Sequence, residues 1–290
     1  MLMMVLLFVS WTAVGAAESL AQSGLLRFDN CKFIETQWGD GDSFLVENAK
    51  GKQFTLRLYG VDCLESHVHD DSDARRLRTQ RRYFGISSFG GDAATSIAEA
   101  KRLGAVAGDF VSNELKEPFS VITAFSDARG DGRYKRYYGF ITTSKGQDLG
   151  EQLVRLGHAR AFGVNRSTID GRSREEHKES LKDIEFQAAI RRVGAWKDTD
   201  WDALPEERRA EREEAAELNL AKGVPQALDP GQKISLNNAP RDVIMQLPGI
   251  GEGLANRIIE GRPYKSVDSV IEVDGIGAGK LAKITPFLKL

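Results

Sequence analysis

The chain has 290 residues, 41% apolar and 28% charged, with a formal net charge of −2. That length holds more than one domain, and that composition is ordinary for a soluble globular protein, which sets aside fibrous and disordered classes. The near-neutral charge leaves little long-range steering of polyanions, so any nucleic-acid binding must come from local patches or a bound cation.

Residues 1–17 are apolar and end in Val14-Gly15-Ala16-Ala17 ahead of Glu18. This reads as a signal peptide cut near Ala16 or Ala17, although it lacks a basic n-region, and it implies a secreted or periplasmic protein. An uncleaved anchor is the alternative, at the short edge of the roughly 17 to 25 residues that span a bilayer, and a membrane is a partner only in that case. Strand patterns follow at 25–36, 43–47 and 53–59, separated by Gly- and Asp-rich turns. A helical stretch at 93–115 precedes strands at 119–125 and 136–142 and helices at 148–156 and 174–193. Cys31 and Cys63 allow one disulfide at most, and as strand residues they lie towards opposite ends of the first hairpin, which disfavours it.

Charged groups concentrate around the first hairpin. Gly39-Asp40-Gly41-Asp42-Ser43 is followed by Leu56-Arg57-Leu58-Tyr59-Gly60-Val61-Asp62-Cys63-Leu64-Glu65. Asp42 and Asp62 supply oxygen ligands suited to a hard cation such as Ca2+. Arg57 offers a planar fork for phosphate oxygens. Glu65, three residues past Asp62, is placed to take a proton from attacking water. Alone, Asp-Gly-Asp is an ordinary hairpin turn and Asp-x-x-Glu a solvated loop.

In this order the segments resemble the thermonuclease, or staphylococcal nuclease-like, family, whose motifs run Asp-Gly-Asp-Thr and Arg-x-x-x-x-Asp-x-Pro-Glu. Gly132-Arg133-Tyr134-Lys135-Arg136-Tyr137-Tyr138-Gly139-Phe140 is similar to its Tyr-Gly-Arg segment, and Gly150-Glu151-Gln152-Leu153-Val154-Arg155-Leu156-Gly157-His158-Ala159 to its central helix. The resemblance covers roughly residues 26–200. It implies an OB-type five-stranded barrel with helices packed outside, in an α+β fold. It implies Asp42, Asp62 and the Cys63 carbonyl as Ca2+ ligands, Arg57, Glu65 and Arg136 as catalytic residues, and Tyr134, Lys135 and Tyr138 as nucleotide contacts. It further implies DNA and RNA as substrates and 3'-phosphate products. Cys63 and Leu64 stand where the family has threonine and proline, so the Glu65 loop lacks proline's constraint, and Phe162-Gly163-Val164 replaces its nucleotide-stacking tyrosines.

An insertion at 66–96 carries the basic run Arg75-Arg76-Leu77-Arg78-Thr79-Gln80-Arg81-Arg82-Tyr83-Phe84. It is either a phosphate grip or a solvated helix face paired with Asp70, Asp71 and Asp73. His67-Val68-His69-Asp70 lacks two further ligands at zinc spacing. Residues 201–231 read as a charged helical spacer and flexible joint.

Residues 232–290 contain a repeat: Leu247-Pro248-Gly249-Ile250-Gly251 and Val273-Asp274-Gly275-Ile276-Gly277 each lead into a helix. Bare glycine backbone approaches phosphate closely, and the following helix adds its positive end. The segment resembles the tandem helix-hairpin-helix module of competence DNA receptors, a small all-α domain. That implies sequence-independent contact with the duplex DNA backbone through Gly249, Ile250, Gly251, Gly275, Ile276 and Gly277. Arg257, Arg262, Lys280 and Lys283 either add contacts or are ordinary charge. Together these readings give an exported Ca2+-dependent endonuclease tethered to DNA. The rival is a non-catalytic nucleic-acid-binding or DNA-uptake protein. No protein partner is inferable from the sequence.

Overall fold

The computed structural model describes residues 24–128, 135–222 and 233–290. The signal segment and Tyr134 lie outside the described residues. Among the described residues no helix is long and apolar enough to cross a membrane.

Five strands form a closed barrel: β1 (Leu26–Ile34), β2 (Ser43–Glu47), β3 (Gln53–Leu58), β5 (Phe119–Asp127) and β6 (Arg136–Thr142). Neighbours pair in the order β1-β2-β3-β6-β5, and β5 returns to β1. Only the β3–β6 pair within this barrel is parallel. The two-residue side-chain period does the sorting in β3: Phe54, Leu56 and Leu58 point into the core while Arg57 faces the other way. Phe44, Val46, Val121 and Ile141 complete that core layer.

Two three-residue strands, β4 (Val61–Cys63) and β7 (Ala159–Ala161), pair outside the barrel. Neither was among the expected strands, because three residues carry too little alternation to register. Cys31 and Cys63 are both buried and unbridged.

The insertion folds as helix α1 (Asp71–Phe84). Asp70 caps it by accepting from the Ser72 and Asp73 amides, an arrangement worth ~1 kcal/mol. Helix α2 (Ala93–Glu114) follows, capped by Asp92. Then come α3 (Leu149–Arg155), α4 (Arg174–Ile190) with a Ser173–Glu176 capping box, and α5 (Leu204–Lys222).

Much of the basic run is paired within the protein. Arg82 pairs with Glu211 and Glu214 of α5, Arg78 with Glu214, and the buried Arg81 donates to Ser96 Oγ. Its acids come mainly from α5 rather than from Asp70 or Asp71, with Arg76 reaching Asp73 at 3.9 Å. Helix α5, expected as an exposed spacer, is therefore docked on α1.

The C-terminal region holds α6 (Arg241–Ile244), α7 (Glu252–Glu260) and α8 (Ala278–Ile284), with β8 (Ile234–Ser235) pairing parallel to β9 (Leu288–Lys289). Its core of Leu236, Ile244, Ile258 and Ile284 is continuous with Tyr59, Tyr138 and Phe140 of the barrel. Arg174 bonds Glu260 at 2.8 Å, and Glu260 accepts the Asn165 amide at 2.9 Å.

Candidate active site

Strand register assembles the charged site. Ser43 stands opposite Arg57 on one side and Tyr138 is level with Arg57 on the other, while Asp62 is level with Arg160. Arg57 Nη1 donates to Asp42 Oδ1 at 2.8 Å and Nη2 to Asp62 Oδ1 at 2.9 Å, so one guanidinium spans both carboxylates. Asp42 Oδ2 accepts the Cys63 amide at 2.9 Å. Asp62 Oδ2 accepts from Arg160 Nε and Gln80 Nε2 at 2.8 and 2.9 Å. Arg136 Nη1 reaches Ser43 Oγ at 3.0 Å, which places the second arginine on the same face.

Glu65 sits in the loop after β4, with its Oε1 accepting from Arg76 at 2.6 Å and its amide donating to Gln80 Oε1. Leu64, which stands where the family has proline, is buried with Leu77, Phe84 and Trp196 and fixes that loop by packing instead. Glu65, Asp40, Ser43 and Arg136 line a cavity of about 420 Å3 together with His67 and His69.

The electrostatics separate the carboxylates. Burial opposes ionisation of Asp62, yet Arg160 and Arg57, aided by Gln80, hold it at about 2. Burial pushes Glu65 up to about 7; the Asp42 and Asp62 charges add to this and Arg76 opposes it. Burial, then the Asp42 and Glu65 charges, hold Asp40 well above the usual carboxylate range. A buried carboxylate cluster that raises its own members in this way favours a cation.

The donor set suits a hard ion. Asp40, Asp42, Asp62 and the Cys63 carbonyl all offer oxygen. Burial, followed by the nearby Asp42 charge, pushes the Cys63 thiol well up, and a hard ion takes the residue's carbonyl oxygen in preference to its sulfur. Among the described residues no three His, Cys, Asp or Glu side chains stand together at metal-ligand spacing. Arg57 occupies the space between Asp42 and Asp62, and the Cys63 carbonyl accepts from Gln80 at 2.7 Å. Asp42 Oδ1 and Asp62 Oδ2 each already accept two hydrogen bonds, whereas Asp42 Oδ2 and Asp62 Oδ1 accept one each and keep a lone pair, so the carboxylates retain hard-oxygen donors of the kind that fit Ca2+.

Of the expected nucleotide contacts, Lys135 is exposed at the start of β6. Tyr138 departs from expectation: it is buried, and its ring stacks on Tyr59 at 5.2 Å inside the core shared with the C-terminal region. Arg160, Gln80 and Arg76 were not singled out as site residues. No local pattern marks Arg160, because it is the pairing of β4 with β7 that brings it beside Asp62.

The two hairpins also take shape from backbone chemistry. Gly249 and Gly275 have φ of 75° and 88°, the left-handed region open to glycine. Gly251 and Gly277 then start α7 and α8, while Ile250 and Ile276 are buried anchors. Arg257 Nη1 donates to Asp274 O and Lys280 Nζ to Gly275 O, tying both to the second turn. Arg262 instead is buried in the module, donating to the Leu236 and Ala239 carbonyls.

Residues 55–198 match the staphylococcal nuclease homologue family, and residues 229–289 match the helix-hairpin-helix motif. An uncharacterized protein of Methanocaldococcus jannaschii is 28% identical over 160 residues, covering 54% of this chain and 67% of that protein. A protein named deoxyribonuclease from a Thioalkalivibrio strain is 45% identical over 51 residues, which is 18% of this chain and 14% of that one. A photosystem II extrinsic protein U from a Picosynechococcus strain is 41% identical over 54 residues, 19% of this chain and 39% of its own. The family match begins at residue 55, but the β2–β3 register carries Asp42 into the same site. The chain thus carries a domain of the staphylococcal nuclease family followed by a helix-hairpin-helix module.

Proposed function

We propose that the chain is an exported, Ca2+-dependent endonuclease that hydrolyses DNA and RNA phosphodiester bonds to 3'-phosphate ends. In this reading the C-terminal hairpins, taken as residues 232–290, hold the duplex backbone. The observation that carries it is Arg57 spanning Asp42 and Asp62, with Glu65 and Arg136 on the same cavity. A purely gripping surface has no use for buried carboxylates, which repel phosphate.

Asp42 and Asp62, with the Cys63 carbonyl, would hold the ion. A bound Ca2+ supplies Lewis-acid polarisation of the scissile phosphate. Glu65, pushed up to about 7 by burial, is matched to accept a proton from water near neutral pH. Arg57 and Arg136 neutralise the charge that builds on the phosphate oxygens. Gln80 positions the Glu65 loop and Asp62 at once, through its carbonyl and amide ends. Export rests on the sequence pattern of residues 1–17.

The test is digestion of plasmid DNA and of RNA by protein lacking residues 1–17, in Ca2+ and in chelator, with end-group analysis of the products. Ca2+-dependent cleavage leaving 3'-phosphates is expected. DNA that is shifted in a gel but uncut in Ca2+ would replace this reading with the capture role.

A further inference from the structure

A second cavity, of about 600 Å3, lies between α1, α4 and α5, and none of Asp42, Asp62 and Glu65 lines it. Tyr83, Glu185, Trp196, Trp201, Arg192 and Arg208 line it. Trp196 and Trp201 stack at 6.1 Å with an interplanar angle of 23°. Arg208 lies 4.6 Å from the Tyr83 ring centroid, and Arg192 lies 5.7 Å from that of Trp201. Among the described residues neither guanidinium has a carboxylate within ion-pair distance, whereas Arg78, Arg82 and Arg174 do. Glu185 is engaged by other donors: it accepts from Tyr83 Oη at 2.7 Å and from the Ala161 amide at 3.3 Å. Among the described residues the buried indole N–H groups of Trp196 and Trp201 have no acceptor.

Flat rings, two cations without carboxylate partners and two unsatisfied donors together describe a ligand that is planar, rich in acceptors and anionic. A nucleotide has all three properties. A base paired inside a duplex cannot offer its face, so the ligand is a single-stranded segment. The cavity also adjoins the charged site. Arg160 bonds Asp62 at 2.8 Å, and its guanidinium carbon lies 5.0 Å from the Tyr83 ring centroid.

We propose that this cavity is a subsite that takes one unpaired nucleotide several positions along the strand from the scissile phosphate, with its base on Trp201 and its phosphate on Arg192 and Arg208. The assignment deepens the nuclease reading and rests on it for the word scissile. Longer single strands then bind more tightly than short ones, because only they reach both places at once.

The experiment compares wild type with Arg192→Asn and Trp201→Leu, in the full chain. Arg192 is exposed with φ 51°, a left-handed backbone that asparagine tolerates, so the first variant leaves the fold intact. In chelator, binding of a thymidine dinucleotide and of an oligothymidylate of about 12 nucleotides is followed by tryptophan quenching. The longer strand is expected to bind about 10-fold or more tighter, with most of that margin lost in both variants. Dinucleotide cleavage in Ca2+ is expected to be unchanged. An affinity ratio that survives Arg192→Asn overturns the subsite, as does a loss confined to duplex DNA. If wild type cuts nothing, the nuclease reading fails, and the length-dependent binding still decides the cavity on its own.

Discussion

Arg57 holds two carboxylates that would otherwise repel each other across a buried space. Removing one partner from such an arrangement costs ~3 to 5 kcal/mol, because the remaining charges stay buried and unpaired. Activity lost on changing Arg57 or Arg160 would therefore mix chemistry with folding. His177 gives a cleaner reading of burial. Its Nδ1–H donates to Asn165 Oδ1 at 3.1 Å, and desolvation, aided by the Arg172 charge, lowers it to about 4. The folded value lies below the ordinary 6.5, so the unfolded chain takes the proton first. The stability contribution is complete above about pH 6.5 and is lost as pH falls towards 4, up to ~3 kcal/mol. Urea melts across that range should show His177→Gln losing less stability on acidification than wild type. Parallel curves would place the acid sensitivity elsewhere. The sequence disclosed Asp42, Arg57, Asp62 and Glu65 because their types and spacing are local. Arg160 and Gln80 were hidden because pairing between distant segments brings them in.

At the scale of elements, helix α2 fixes the Glu65 loop through a missing side chain. A Cβ on Gly104 would lie 2.4 Å from Leu64 O and 2.9 Å from Ser66 N, so glycine alone permits this approach. Gly108, one turn on, faces open space. Gly104→Ala should destabilise by ~1 to 3 kcal/mol through overpacking. By displacing Glu65 it should also cut turnover by ~100-fold. Gly108→Ala should be neutral or stabilise by up to ~1 kcal/mol. Thermal melts and initial rates on both variants test the contrast, and equal behaviour would remove Gly104 from the positioning of the loop. The longer strands and helices were legible from periodicity and caps. Helix α1 was legible only as one of two readings, because its buried face of Leu77, Gln80, Arg81 and Phe84 is half polar and reads as a basic run. The docking of α5 was not legible, because it depends on Glu211 and Glu214 meeting Arg82, a contact more than a hundred residues apart in the chain.

Across the whole molecule, the barrel and the hairpin module share one apolar core and the Arg174–Glu260–Asn165 clasp. The carboxylate site and the Gly-Ile-Gly turns use different residues, so cutting and holding should separate on mutation. Glu65→Gln keeps the size of the side chain and removes the proton acceptor. The most direct measurement sets its initial rate on plasmid DNA in Ca2+ beside its affinity for duplex DNA. The expected result is turnover reduced ~10²- to 10⁴-fold with duplex affinity unchanged. Undiminished cleavage by Glu65→Gln would contradict the assignment of this site as the one that activates water.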